Sequence, residues 1–421
     1  MKIMKRSGVF LAILCICRAD PVPLEELQLP PGFTVNIFTN ATPKARSLAV
    51  SGGDNSIVYI SNDLLPGGVY GALDSNGDGV AEQTVPLLSG LNQPNGIAWH
   101  NGSLYVAEVS QVTRYDNADA SVLANKPLPP GKVIFDKFPT ITWHGNKYIR
   151  VGPDERLYID LGAPCNDCLL ENAVGNVSFG SLNSMRLDGT DLQPVAGGIR
   201  NTVGFDWDAN GTLYFTNNGI DQLGNNMPDD ALNVAPKPGL FYGFPYCHVV
   251  GIGDPQLRLP GVSQFVADPD FKPNNATNNA THLAFCEANV QPPVQPLGPH
   301  VAALGMRFWR GGGFPPEYTG AAIIAEHGSW ARTPAIGYRL AMVTFAPNGT
   351  AVHHTIFASG WLLRNGTVWG RPVDVEQAKD NSLLVSDDKA GVVYRIAYNA
   401  SFAAAAAAAA AAPVTAYLGP P

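Results

Sequence analysis

Val203-Gly-Phe-Asp-Trp207, a turn through Asn210-Gly211, and Leu213-Tyr-Phe215 together decide the fold of this chain. Two short apolar runs joined by a residue pair that tolerates positive φ read as a tight β-hairpin. The unit returns as Leu48-Ala-Val50 with Ile57-Val-Tyr-Ile60, Gly96-Ile-Ala-Trp99 with Leu104-Tyr-Val106, and Tyr148-Ile-Arg-Val151 with Leu157-Tyr-Ile159. It continues as Leu304-Gly-Met-Arg-Phe308 with Ile323-Ile-Ala325, and Val373-Asp-Val375 with Leu383-Leu-Val385. A lone hairpin cannot bury its own apolar face, so copies at this spacing must stack. Polar loops recur after each second strand, beginning at Ser61, Ala107, Asp160, Thr216, Ala325 and Ser386. Radial stacking puts such loops on one face, and the expected fold is an all-β, six-bladed β-propeller over residues 29–398. Phe33-Thr-Val-Asn-Ile-Phe38, ahead of the first copy, is expected to complete the last blade. The Pro- and Asn-rich stretch at about 245–298 breaks the rhythm and reads as an insertion. Residues 399–421, with their alanine run, read as a low-complexity tail.

Working outward from the repeats, the N-terminus carries Met1-Lys-Ile-Met-Lys-Arg6, an apolar run from Val9 to Cys17, and Ala19. This is the pattern of a signal peptide over residues 1–19. The run falls short of the roughly 20 apolar residues of a membrane span, and no later stretch supplies one. A secreted, extracellular protein is expected. Asn-X-Ser/Thr sequons at Asn40, Asn101, Asn176, Asn210, Asn275, Asn279, Asn348, Asn365 and Asn399 agree with a glycoprotein. A net charge of −8 with no basic tract argues against nucleic acid as a partner. Cys15 and Cys17 leave with the leader, and Cys165, Cys168, Cys247 and Cys286 remain. Four cysteines allow three pairings, of which Cys165–Cys168 with Cys247–Cys286 is favoured. Half a zinc site at Cys165-Asn-Asp-Cys168 lacks its second CxxC or CxxH.

The candidate chemistry lies in loops. His144, in Thr142-Trp-His-Gly-Asn-Lys-Tyr148, precedes a repeat strand; it is either a general base facing the channel or a surface turn residue. Arg200-Asn201 opens an apolar strand, and an inward Arg wants an anion. Thr216-Asn-Asn-Gly-Ile-Asp-Gln222 and then Pro228-Asp-Asp-Ala-Leu-Asn233 offer backbone carbonyls and oxygen side chains either to calcium or to their own caps. Asp74-Ser-Asn-Gly-Asp-Gly79 matches the first half of a calcium loop, but Val85 stands where an EF-hand has Glu, so a hairpin turn is expected there.

Six strings in order carry a family resemblance: Gly90-Leu-Asn-Gln-Pro-Asn-Gly96, Gly162-Ala-Pro-Cys165, Gly198-Ile-Arg-Asn-Thr-Val-Gly-Phe205, Tyr242-Gly-Phe-Pro-Tyr-Cys-His248, Ile324-Ala-Glu-His-Gly-Ser-Trp330 and Ser386-Asp-Asp388. With them the chain resembles the PQQ-dependent sugar dehydrogenases of the sorbosone and pyranose dehydrogenase branch, and more distantly the soluble quinoprotein glucose dehydrogenases. The resemblance implies a propeller carrying pyrroloquinoline quinone (PQQ) and Ca2+ at the channel mouth. It implies a sugar or sugar-aldehyde substrate and an external electron acceptor such as a cytochrome or quinone. His144 falls on the base and Arg200 on the residue that stabilises the reduced cofactor. Asn201, Arg332, Arg371 and Arg46 fall on or near cofactor contacts, and Gly219, Ile220 and Asp221 on the calcium site. Two departures stand out: Asn217-Asn-Gly-Ile-Asp221 replaces Asp-Asn-Gly-Arg-Asp, and Trp330-Ala-Arg332 replaces Trp-Asn-Arg. Both are expected to remove polarity or charge near the site. A calcium-dependent lactonase or hydrolase and a non-catalytic carbohydrate-binding propeller remain the alternatives, because this fold hosts many functions.

Overall fold

The computed structural model describes residues 22–251 and 264–404. The expected leader, Cys15, Cys17 and the tail beyond residue 404 lie outside the described residues. Six antiparallel sheets stand around one axis as the six expected blades. Their innermost strands are Ala45–Val50, Gly96–His100, Ile149–Val151, Phe205–Trp207, Ala303–Phe308 and Pro372–Gln377. Blades 1 to 6 follow this order. Blade 6 takes its outermost strand from the N-terminus: Phe33–Thr39 pairs with Val392–Tyr398, with Phe33 opposite Tyr398 and Val35 opposite Ile396. The ring therefore closes as the sequence suggests.

The repeat's apolar runs show no polar alternation because each blade is buried on both faces. In Ser103–Ala107 of blade 2, Leu104 and Val106 pack with Ile57 and Tyr59 of blade 1. Tyr105 and Ala107 point the other way, onto Leu157 and Ile159 of blade 3. Successive side chains of a strand face opposite sides, so one strand feeds two cores. The same division runs round the ring, giving a separate apolar core in each inter-blade space.

Where innermost strands approach one another there is no room for side chains. A Cβ on Gly204 would sit 2.2 Å from the Leu304 carbonyl oxygen, and one on Gly305 would sit 2.2 Å from Asp374. The strands also carry a charged network across blades that the hairpin pattern does not announce. Arg307 of blade 5 and Arg150 of blade 3 both donate to Glu376 of blade 6, at 2.9 and 2.8 Å. Arg310 forks onto both oxygens of Asp206 at 3.0 Å. Asp206 and Asp374 also accept the backbone N–H of Phe308 and Leu48 in the next blade. Burial raises the Glu376 carboxyl, but Arg150 and Arg307 outweigh it and bring the group down to about 2.

The inserted segment joins the third and fourth strands of blade 4, Asp229–Ala235 and Gln295–Pro299. It thus occupies 236–294, and the last residues assigned to it from sequence are blade strand. It contributes Leu240–Phe241, parallel to the edge of blade 3, a hairpin of Cys247–Val250 with Gln264–Ala267, and the helix Asn279–Asn289. Both favoured disulfides are present, Cys165–Cys168 and Cys247–Cys286. The fold also begins before residue 29, since Val22, Leu24 and Leu27 pack on the core between blades 5 and 6, and Gln28 pairs with Ser359. At the other end, Asn399 donates its N–H to Gly32 and starts a helical turn through residue 404, so the tail is anchored where it leaves the ring. Asp74-Ser-Asn-Gly-Asp-Gly79 is a turn between strands, closed by the Asp74 and Asp78 carboxylates on backbone N–H groups. All nine sequon asparagines are exposed. Among the described residues no helix is long and apolar enough to cross a membrane.

Arg307 is buried against two carboxylates, so Arg307→Met leaves uncompensated charge in the channel. The expected loss is about 3–5 kcal/mol of unfolding free energy by urea denaturation. A loss below about 1 kcal/mol would show that the network does not hold the blades.

Candidate active site

Up-and-down blades direct two kinds of connection to the same face: those between second and third strands, and those from one blade's outermost strand to the next blade's innermost. Both kinds converge on a cavity of about 260 Å3 lined by His144, Arg200, Asn201, Gly219, Asp221, Arg46 and Arg371, among others. Most candidate residues named from sequence are therefore brought together. Those in inter-blade connections include His144, Arg200, Asn201 and Arg371, so the loops after second strands supply only part of the site.

His144 takes a positive φ of 47° on the loop before Ile149–Val151. Its Nδ1 lies 2.8 Å from the Ala163 carbonyl. A carbonyl only accepts, so Nδ1 carries the proton and Nε2 keeps its lone pair. Burial, reinforced by the Arg200 charge, pulls the imidazole down from 6.5 to about 3, against the Ala163 hydrogen bond. The ring is thus a neutral acceptor across ordinary pH. Under the same loop, buried Lys147 donates to the Gly145 carbonyl at 2.7 Å, one residue from the base. Burial lowers Lys147 and raises its partner Asp160.

Arg200 is held on one side only. Its Nε donates to the Asn166 carbonyl at 2.9 Å, and its Nη2 donates to Asn166 Oδ1 and Asp221 Oδ2, each at 2.8 Å. Arg46 donates from Nε to Asn95 and from Nη1 to Asp388. Arg371 donates from Nε to the His327 carbonyl and from Nη2 to the Gly328 carbonyl. One terminal nitrogen of each guanidinium, Nη1 of Arg200, Nη2 of Arg46 and Nη1 of Arg371, makes no hydrogen bond among the described residues. Three pre-oriented cations with spare donors on one cavity fit a ligand with several carboxylates.

Beside them, Gly219 donates its N–H to Asp230 Oδ1 at 2.8 Å, and Ala302 donates to Asp230 Oδ2 at 2.6 Å. Burial pushes Asp230 up to about 7, with those amides and Arg200 acting against it. Among the described residues neither the Gly219 nor the Ile220 carbonyl accepts a hydrogen bond, so both oxygens remain free for a hard cation. Asp221 is committed to Arg200. The Ile220 side chain packs with Ala163 and Phe244, away from the cavity. The departure at this position therefore does not put an apolar side chain into the cavity. Asn217 Oδ1 accepts the N–H of Asn201 at 3.3 Å, and Ala331 lines the cavity.

Arg332 is not among the lining residues. Its guanidinium donates to the carbonyls of Asn225 and Pro334 beside the cavity, so the structure does not bring it together with Arg46, Arg200 and Arg371. Asp230 comes from the Pro228–Asn233 stretch offered to a cation from sequence, whereas His300 and His327 as lining residues, and Asp388 behind them, were missed. His327 Nε2 lies 2.9 Å from Asp388 Oδ1, and Asp388 also takes Arg46. Burial lowers His327 despite Asp388. The signal for both lay inside Ile324-Ala-Glu-His-Gly-Ser-Trp330 and Ser386-Asp-Asp388, strings quoted without a role for these side chains.

A family profile described as TrAA12-like matches residues 181–399. An uncharacterized protein of Borreliella burgdorferi is 28% identical over 88% of this chain and 91% of its own length. The pyrroloquinoline quinone-dependent pyranose dehydrogenase of Coprinopsis cinerea is 23% identical over 90% of this chain, which spans 56% of that relative. A holo-form structure of a pyranose dehydrogenase PQQ domain from the same organism aligns with a TM-score of 0.69 at 17% identity, covering 88% of this chain and 97% of that domain. A calcium structure of a Trichoderma reesei family AA12 carbohydrate-active enzyme aligns with a TM-score of 0.71 at 18% identity, covering 89% and 97%.

The depressed His144 pKa has a measurable sign. As pH falls below about 6.5 the unfolded chain takes up a proton on this ring and the folded chain does not, until about 3. His144 thus makes stability fall with pH over that window, and His144→Gln is expected to flatten the fall in urea titrations. A His144 imidazole signal in NMR, assigned by its loss in His144→Gln, that titrates near 6.5 would contradict the buried neutral assignment.

Proposed function

The chain belongs to the TrAA12-like family, and we propose that it is a secreted quinoprotein oxidoreductase that oxidises a sugar or sugar aldehyde with PQQ and Ca2+. The observation that carries this reading is the convergence of three guanidiniums with spare donors and a neutral imidazole with a free Nε2 on one cavity. PQQ is a tricarboxylate, so Arg46, Arg200 and Arg371 match its charge, with Asn201 beside them. The free Gly219 and Ile220 carbonyls, with the Asp230 carboxylate nearby, match the donor class of calcium. The pyranose dehydrogenase name of one relative and the calcium structure of another support the same pairing.

Bound there, PQQ supplies a two-electron hydride acceptor and Ca2+ a Lewis acid. The protein's own part is positioning and proton transfer. Ala163 fixes the His144 tautomer, and Nε2 accepts the proton of the sugar hydroxyl as the adjacent carbon is oxidised. Lys147 keeps the base loop in place through Gly145. Arg200 holds positive charge where negative charge grows on reduction, and its own bonds to Asn166 and Asp221 stop it swinging away. Exposed Trp143 and Trp330 flank the mouth, where aromatic faces suit the C–H surface of a sugar ring. Electrons then pass to an external acceptor such as a cytochrome or quinone. The signal-peptide pattern of residues 1–19 and the exposed sequons are the support for secretion and glycosylation.

The test is purified protein with PQQ and Ca2+, assayed for dye reduction across aldoses, pyranoses and sugar aldehydes. We expect cofactor-dependent turnover, and His144→Ala to cut kcat by about 10²–10⁴-fold while cofactor still binds. Absence of PQQ binding by calorimetry overturns the reading. Lactone hydrolysis without quinone would assign the cavity to hydrolysis.

A further inference from the structure

The inserted segment holds a group that the oxidoreductase reading does not use. His282 is fully buried, and neither ring nitrogen makes a hydrogen bond among the described residues. An imidazole buried with both nitrogens unpaired forfeits the hydrogen bonds that water gives it when unfolded, which a ligand to one nitrogen would replace. One ligand atom of His282 and the sulfurs of Cys247 and Cys286 all lie within 4.8 Å of one another. Cys286 is 0% and Cys247 4% exposed.

The arrangement is fixed by local structure. His282 and Cys286 stand four residues apart on Asn279–Asn289, so they share one helix face. A capping box sets the start of that helix: Asn278 accepts the Thr281 N–H, and Thr281 Oγ1 accepts the Asn278 N–H. Cys247 comes from the facing strand Cys247–Val250. The Tyr246 carbonyl oxygen lies 4.0 Å from the Cys286 sulfur.

We propose that reduction of the Cys247–Cys286 disulfide converts this cluster into a buried site for a thiophilic d10 cation, held by two thiolates and the His282 imidazole. With a phosphine as reductant, phosphorus donates the electron pair that breaks the S–S bond, and one water supplies the oxygen of the departing phosphine oxide and the two protons of the thiols. Cation binding then releases both thiol protons, and a His282 nitrogen donates its lone pair. Thiolates about 2.3 Å from one cation lie roughly 3.8 Å apart, within the span the cluster already has once the S–S bond opens. The Tyr246 carbonyl is the nearest oxygen for a fourth position. Two soft sulfurs with one imidazole select Zn2+ or Cu(I) over calcium, so this site is distinct from the cavity chemistry.

Cd2+ serves as the probe. With excess Ca2+ present, anaerobically reduced protein should bind one equivalent with an ultraviolet thiolate charge-transfer band, and oxidised protein should show no such band. The Cys247→Ser/Cys286→Ser double variant should lose the band, and Cys165→Ser/Cys168→Ser should keep it. His282→Ala should weaken binding at least tenfold and His282→Cys restore it. The proposal is overturned if reduced protein binds no Cd2+, if the Cys247/Cys286 double variant still binds, if His282→Ala binds equally, or if reduction unfolds the protein and Cd2+ does not prevent it. None of these readouts depends on PQQ.

Discussion

Ring closure is the constraint from which the rest follows. The strand Phe33–Thr39 lies hundreds of residues from its partner Val392–Tyr398, yet it supplies the fourth strand of blade 6. Without it that blade would end in an unpaired edge, and only the core and hydrogen bonds between blades 6 and 1 would hold the ring shut. With it, each blade is sandwiched by two neighbours, and the apolar hairpins of the sequence find a core on both faces. Phe33 adds edge-on contacts to Phe314, Phe357 and Tyr398 at the seam. Closure also fixes which loops meet. Residues as distant in sequence as Arg46, His144, Arg200 and Arg371 line one cavity because their strands end on one face of a closed ring.

Charge is handled in two ways along the axis. In the channel, Arg150, Arg307 and Arg310 are matched to Asp206, Asp374 and Glu376 of other blades, so the desolvated ions serve the ring itself. At the mouth, each arginine is tied by two of its nitrogens and leaves one free. Such a guanidinium is oriented without being neutralised, and this is the arrangement of a binding group. Desolvation sets the base in the same way: it keeps His144 neutral, and a single carbonyl selects the nitrogen that can accept a proton.

The insertion supports this geometry from outside. Phe244 packs on Ala163 and Ile220, behind the loop whose Gly219 faces the cavity. Asn166, between Cys165 and Cys168, binds both Arg200 and the backbone of Asp221. The short disulfide loop therefore acts on the site through Asn166. A segment that looks like an interruption of the repeat is part of the scaffold of the site.

Sequence alone determined the hairpins, their sixfold recurrence, the closing strand and the favoured cysteine pairing, because apolar periodicity and turn chemistry are local properties. It also placed His144, Arg200, Asn201, Gly219, Asp221, Arg46 and Arg371 as candidates, through strings that carry a family's pattern. Tertiary structure decided which of them meet. Arg332 has the right residue type but bonds to rim carbonyls, and Ile220 turns into an apolar cluster, choices made by neighbours far away in the chain. The roles of His327 and Asp388 became visible only in three dimensions, since a buried carboxylate or imidazole is defined by its surroundings. The channel ion pairs and the insertion's true limits were hidden for the same reason: they depend on contacts between blades, and no single stretch of sequence contains them.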